Sequence, residues 1–154
     1  MQTKAKGRTT IRTAAVCFMA SAVFELMDIT TPVPLLAGMR SGIAALGYHL
    51  VFTGIFLAMG IGLWTGKPWG YGAVMAGTAV YALDKAQMLP ARQTFADFIA
   101  QQFTTPTTRE ILNLVPKDLL LQVMTLAYLL LILCWLGFAL YIHLRRAYFT
   151  PDGR

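Results

Sequence analysis

Four apolar runs punctuate the chain, at residues 13–29, 42–64, 69–83 and 119–142, each bordered by charged or turn-forming residues. About 20 apolar residues in helical form match the hydrocarbon thickness of a bilayer. A helix also satisfies its own backbone polar groups, which lipid cannot do for it. The spacing therefore predicts an all-α, integral membrane four-helix up-down bundle, with spans at about 12–29, 42–65, 69–88 and 118–143 forming a single domain over 1–154. Composition agrees: 56% of the 154 residues are hydrophobic and 13% charged, where a soluble domain carries about 45–50% and about 25%.

The first run is short, and it spans only if Arg12 and Asp28 reach the two interfaces with their polar ends. Lys4, Lys6, Arg8 and Arg12 ahead of it, with Ala20-Ser21-Ala22 inside it, also fit a signal peptide. The second run ends in Gly66-Lys67-Pro68-Trp69-Gly70, a tight turn flanked by Trp64 and Trp69. Residues 89–117 form an outer loop too polar to cross. Phe95, Phe98, Ile99 and Phe103 recur there at helical spacing, predicting a short amphipathic interfacial helix between spans 3 and 4, near 93–103. Thr107 and Glu110 have capping-box spacing for a second short helix.

The net charge of +6 lies at the ends of apolar runs rather than along one face, which argues for membrane topology and against nucleic acid. With both termini and the Lys67 turn on one side, that side holds eight basic residues against Asp152 alone, a net +7; the other holds five against six acids, a net −1. The positive-inside rule then places both termini in the cytoplasm of a bacterial-type inner membrane. Cys17 and Cys134 have no pairing motif and say nothing of redox compartment.

Ionisable side chains within a span are costly and point to function. At about 1.5 Å of rise per residue, Glu25, His49, Asp84 and Gln122 all fall in the outer third of the membrane. Helical stepping puts Glu25 with Ala14, Cys17, Ser21 and Asp28, and His49 with Gly42, Ala45, Thr53 and Gly60. Asp84 falls with Tyr81, Gly77, Ala73 and Gly70, and Gln122 with Asp118 and Thr125. The expectation is that the four converge in one ligand- or proton-binding pocket, with Asp28, Arg40 and Lys85 as charge partners. The plainer alternatives are interfacial charges at Asp28, Lys85 and Asp118, a strut at His49, and aromatic belts at Trp64, Trp69, Tyr71 and Tyr141, with His143 on the basic flank.

Several chemistries fail on residue type. Glu25, His49 and Asp84 could ligate a metal if one is bound, but no local ligand motif supports it. His49 and His143 stand too far apart along the spans to share a haem. Position 61 is Ile and Pro68 replaces the hydroxyl residue a P-loop needs. Small multidrug exporters share four spans and an acidic first helix, but the long third connection and the placement of acids depart from them. The cofactor is left open. The leading expectation is an outer-leaflet polar pocket that binds or conducts a proton, cation or small amphiphilic ligand. The alternatives are a non-catalytic accessory or assembly subunit and a membrane-embedded enzyme acting on a lipid or quinone. The expected partners are the lipid bilayer and a homo-oligomer or larger membrane complex.

Overall fold

A computed structural model describes residues 7–36, 38–91, 94, 96, 98 and 115–150. Among these residues the chain forms four helices: α1 (Arg8–Met27), α2 (Ile43–Thr65), α3 (Pro68–Ala86) and α4 (Lys117–Leu144). Three of them, α1, α2 and α4, are long and apolar enough to cross a membrane. The shorter α3 is diluted by Gly70, Gly72 and Gly77 and by the polar groups of Tyr71, Tyr81, Asp84 and Lys85.

The helical expectation gains one unforeseen element. Strands β1 (Val33–Leu35) and β2 (Gly38–Arg40) pair as an antiparallel hairpin between α1 and α2, in the register Val33 to Arg40, Pro34 to Met39 and Leu35 to Gly38. Its tip holds Leu36 at φ 52°. Pro34 donates no ladder hydrogen bond, which an edge position tolerates. The expected helix at 93–103 lies mostly outside the described residues, and the second short helix wholly so. Thr94, Ala96 and Phe98 are helical, and Phe98 packs against Met88 beside Leu120, Leu121 and Met124.

Close backbone approach draws the helices together. Gly60 of α2 sits against Ala15 and Met19 of α1, and Gly77 of α3 against Met59. Gly62 and Gly70 meet where α2 turns into α3; a Cβ on Gly70 would lie 2.5 Å from the Gly62 carbonyl oxygen. Gly66 takes the left-handed conformation that caps α2, and Pro68 opens α3 where its missing N–H costs nothing. These residues set the sharp reversal that lays α3 along α2.

The interior has two tiers. Toward the hairpin, Ala22, Phe52 and Phe56 are buried among Phe18, Tyr48, Tyr81 and Trp135. Tyr81 stacks on Trp135 at 3.9 Å, and Phe18 meets Trp135 edge-on at 5.3 Å, so α1, α3 and α4 share this aromatic layer. Away from the hairpin, Ile11, Ala15, Met59, Leu63, Val74 and Ile142 are fully enclosed, together with Phe149 of the short 3-10 turn Arg146–Phe149. Tyr148 donates to the Leu63 carbonyl at 3.1 Å, holding that turn beneath the α2–α3 reversal.

Candidate functional site

The polar groups gather at the hairpin end, in three places rather than one. At the first, the end of α1 carries Glu25 and the first turns of α2 carry His49. His49 Nδ1 lies 2.7 Å from Glu25 Oε2, and His49 Nε2 lies 3.1 Å from the backbone carbonyl oxygen of Thr31, in the loop before β1. The His49 side chain is 6% exposed and that of Glu25 24%, so the imidazole has almost no access to water.

Both ring nitrogens therefore need a hydrogen-bond account. A neutral imidazole has one N–H and one acceptor nitrogen, yet here both nitrogens face oxygen acceptors. With Glu25 ionised and His49 neutral, one nitrogen would turn its lone pair toward an oxygen lone pair. Both contacts become hydrogen bonds when the pair carries one further proton. That proton sits on Nδ1 as an imidazolium donating to the carboxylate, or on Glu25 as a carboxyl donating to Nδ1. In either form Nε2–H donates to Thr31.

The second place centres on Asp84, near the end of α3. Tyr48 donates its hydroxyl to Asp84 Oδ2 at 2.7 Å, Lys85 pairs with the same oxygen at 2.9 Å, and Gln87 donates to Oδ1 at 2.8 Å. Lys85 also donates to the Tyr48 hydroxyl oxygen at 3.3 Å, and its ammonium lies 5.1 Å from the Tyr81 ring centroid. The Gln87 carbonyl in turn accepts the Leu36 N–H at 2.8 Å. The loop before the hairpin is thus tied to α2 through Thr31 and His49, and the hairpin tip to α3 through Gln87. Tyr48 and His49 are consecutive, with ring centroids 5.6 Å apart and planes at 88°, which sets the two networks side by side.

The third place is a groove along α4, where Asp118, Gln122 and Thr125 line up with Leu89, Leu121, Leu126 and Leu129. Gln122 is exposed there and does not join Glu25, His49 or Asp84. Of the four residues expected in one pocket, Glu25 and His49 are in contact, Asp84 lies in the neighbouring Tyr48 network and Gln122 lines the α4 groove; the 3.6-residue repeat identifies a face of each helix but not the neighbour that face meets. Lys85 does pair with Asp84. Arg40 instead stands exposed on β2, and Asp28 is exposed beyond α1. Among the described residues no three His, Cys, Asp or Glu side chains gather to hold a metal; Asp84 is turned to Tyr48, Lys85 and Gln87.

Sequence reasoning passed over Tyr48, Thr31 and Gln87. Tyr48 had one signal, a hydroxyl beside His49 within an apolar run. Thr31 acts through its backbone carbonyl, which side-chain identity does not reveal. At the opposite end, Tyr71 and His143 are hydrogen-bond partners at 2.8 Å, and the Arg12 guanidinium lies 5.2 Å from the Trp64 ring centroid. Comparison with family models, curated proteins and solved structures finds no match to the chain.

Proposed function

We propose that this chain is a four-helix up-down protein of a bacterial-type inner membrane, with both termini cytoplasmic, whose outer-leaflet Glu25–His49 pair binds a proton. The supporting observation is the placement of both His49 nitrogens opposite acceptors, at 2.7 and 3.1 Å. The membrane placement is supported by three helices of sufficient length and apolarity. Charge balance supports the orientation: among the described residues Arg8, Arg12, Lys67, Arg145 and Arg146 lie at the end away from the hairpin, while near it Arg40, Lys85 and Lys117 are set against Glu25, Asp28, Asp84 and Asp118.

Binding is favoured over conduction. From the His49 pair toward the opposite end the interior passes through the aromatic layer and then an aliphatic one, where Ile11, Ala15, Met59, Leu63, Val74 and Ile142 are each 1% exposed or less. A chain of proton-relaying groups needs polar atoms within hydrogen-bond reach of one another, and the fully buried residues of the aliphatic layer supply none. The proton exchanges with the hairpin side, where the Thr31 carbonyl faces the imidazole. An acid–base enzyme is disfavoured because both ring nitrogens are engaged.

The test is Glu25→Gln in the full chain, reconstituted in lipid vesicles. A Gln amide donates to Nδ1 without an added proton, so the variant should fold normally and release one proton fewer on unfolding. Equal proton release by the variant and the parent chain would remove the reading. An accessory-subunit role is the second reading, favoured by α4, in which Ile142 alone is fully buried among the described residues. Co-purification of a stable partner in fixed stoichiometry would establish it.

A further inference from the structure

We propose that the groove along α4 binds an amphiphile with an ammonium headgroup, Asp118 serving as counter-ion and Gln122 as hydrogen-bond partner. The proposal rests on the membrane placement of α4 but not on the proton count at His49. The groove has a volume of about 590 Å³, within the range of small-molecule sites. Its polar groups stand one above another on a single helix face, Asp118 in the first turn, then Gln122, then Thr125, with Leu89, Leu126 and Leu129 as apolar walls.

From Asp118 to Leu129 the strip descends about 16 Å, from the headgroup level into hydrocarbon. That is the polarity profile of one amphiphile lying along the helix. Thr125 satisfies its hydroxyl on the Leu121 carbonyl at 2.7 Å. No described residue hydrogen-bonds or ion-pairs with Asp118 or Gln122. A negative charge in the first turn of a helix has a sufficient reason in the helix dipole. The dipole gives no such reason for Gln122, and within a span an amide without a partner is costly.

Charge decides among the occupants. An anionic headgroup would be repelled by Asp118. A second copy packed symmetrically on this face would bring two Asp118 carboxylates together. Lys117 precedes Asp118 but projects about a quarter turn away round the helix. A cationic headgroup pairs with the carboxylate, donates to the Gln122 carbonyl, and leaves its chain against Leu126 and Leu129.

The experiment uses the full chain in a neutral maltoside detergent and three photoreactive probes of equal chain length: a primary alkylamine, an alcohol and a carboxylate. Labelled residues are located by mass spectrometry. The amine should label α4 between Asp118 and Leu129 saturably, with half-saturation about tenfold or more below that of the alcohol, as expected for one charge-assisted hydrogen bond. Asp118→Asn should abolish that advantage while leaving alcohol labelling intact, which also reports that the variant is folded. Equal labelling by amine and alcohol, persistence of the preference in Asp118→Asn, or self-cross-linking of two chains through 118–129 would each overturn the proposal. His49 protonation is read separately, so failure here leaves that reading standing, and the reverse.

Discussion

His49 bridges Glu25 and Thr31 with opposite edges of one ring, Nδ1 at 2.7 Å from the carboxylate and Nε2 at 3.1 Å from the carbonyl. The end of α1, the loop before the hairpin and the start of α2 are joined through a single side chain. Its removal is therefore expected to act on structure and on proton binding together, whereas changes at Glu25 separate the two.

Glu25→Ala leaves His49 Nδ1 buried without a partner and should destabilise the chain by about 1–3 kcal/mol. Glu25→Gln keeps the contact and should cost under about 1 kcal/mol. Thermal unfolding of the two variants in the same detergent checks the order; a Gln variant as unstable as the Ala variant would show that charge, not the hydrogen bond, holds this junction.

Tyr48 and Asp84 are 2.7 Å apart and part-buried, with Lys85 on the same carboxylate oxygen. Tyr48→Phe and Asp84→Asn should each destabilise by about 1–2 kcal/mol, and the double variant by clearly less than the sum. Additive losses would mean that the hydroxyl and the carboxylate act independently.

Gly62 and Gly70 lie in backbone contact. A methyl group at Gly70 meets the Gly62 carbonyl oxygen at 2.5 Å, while one at Gly137 meets nothing within 4 Å. Gly70→Ala should cost about 2 kcal/mol or more by forcing α2 and α3 apart. Gly137→Ala should be neutral or stabilise by up to about 1 kcal/mol through helix propensity. Denaturant melts of the pair decide it, and equal effects would contradict the close approach.

Thr53, one turn along α2 from His49, is 6% exposed, and its hydroxyl has no hydrogen-bond partner among the described residues. If that hydroxyl only occupies space, Thr53→Val removes a desolvated polar group and should be neutral or stabilising by about 1 kcal/mol. A loss of more than 1 kcal/mol would mean that it is satisfied by a group such as buried water, extending the polar site below His49.

The four helices were legible because apolar runs of span length leave the backbone few choices. Their glycine faces were legible in part: Gly60, Gly70 and Gly77 do lie at close contacts. The pairing of Glu25 with His49 could be anticipated from depth, because α1 and α2 are consecutive and their facing ends stay near each other. Gln122 could not be placed that way. Its helix follows a long connection, so equal depth did not imply the same neighbours. The hairpin escaped notice because three-residue strands carry too little alternation to register. The Leu36 N–H to Gln87 bond that fastens it joins residues 51 positions apart.

The most direct test of the proton-loaded pair is nuclear magnetic resonance of the His49 ring nitrogens and the Glu25 carboxyl carbon, in the full chain in lipid bilayers at neutral pH. The account predicts a protonated Nε2 together with either a protonated Nδ1 facing an ionised Glu25 or a protonated Glu25 facing a bare Nδ1. A neutral imidazole with one bare nitrogen beside an ionised Glu25 would contradict it.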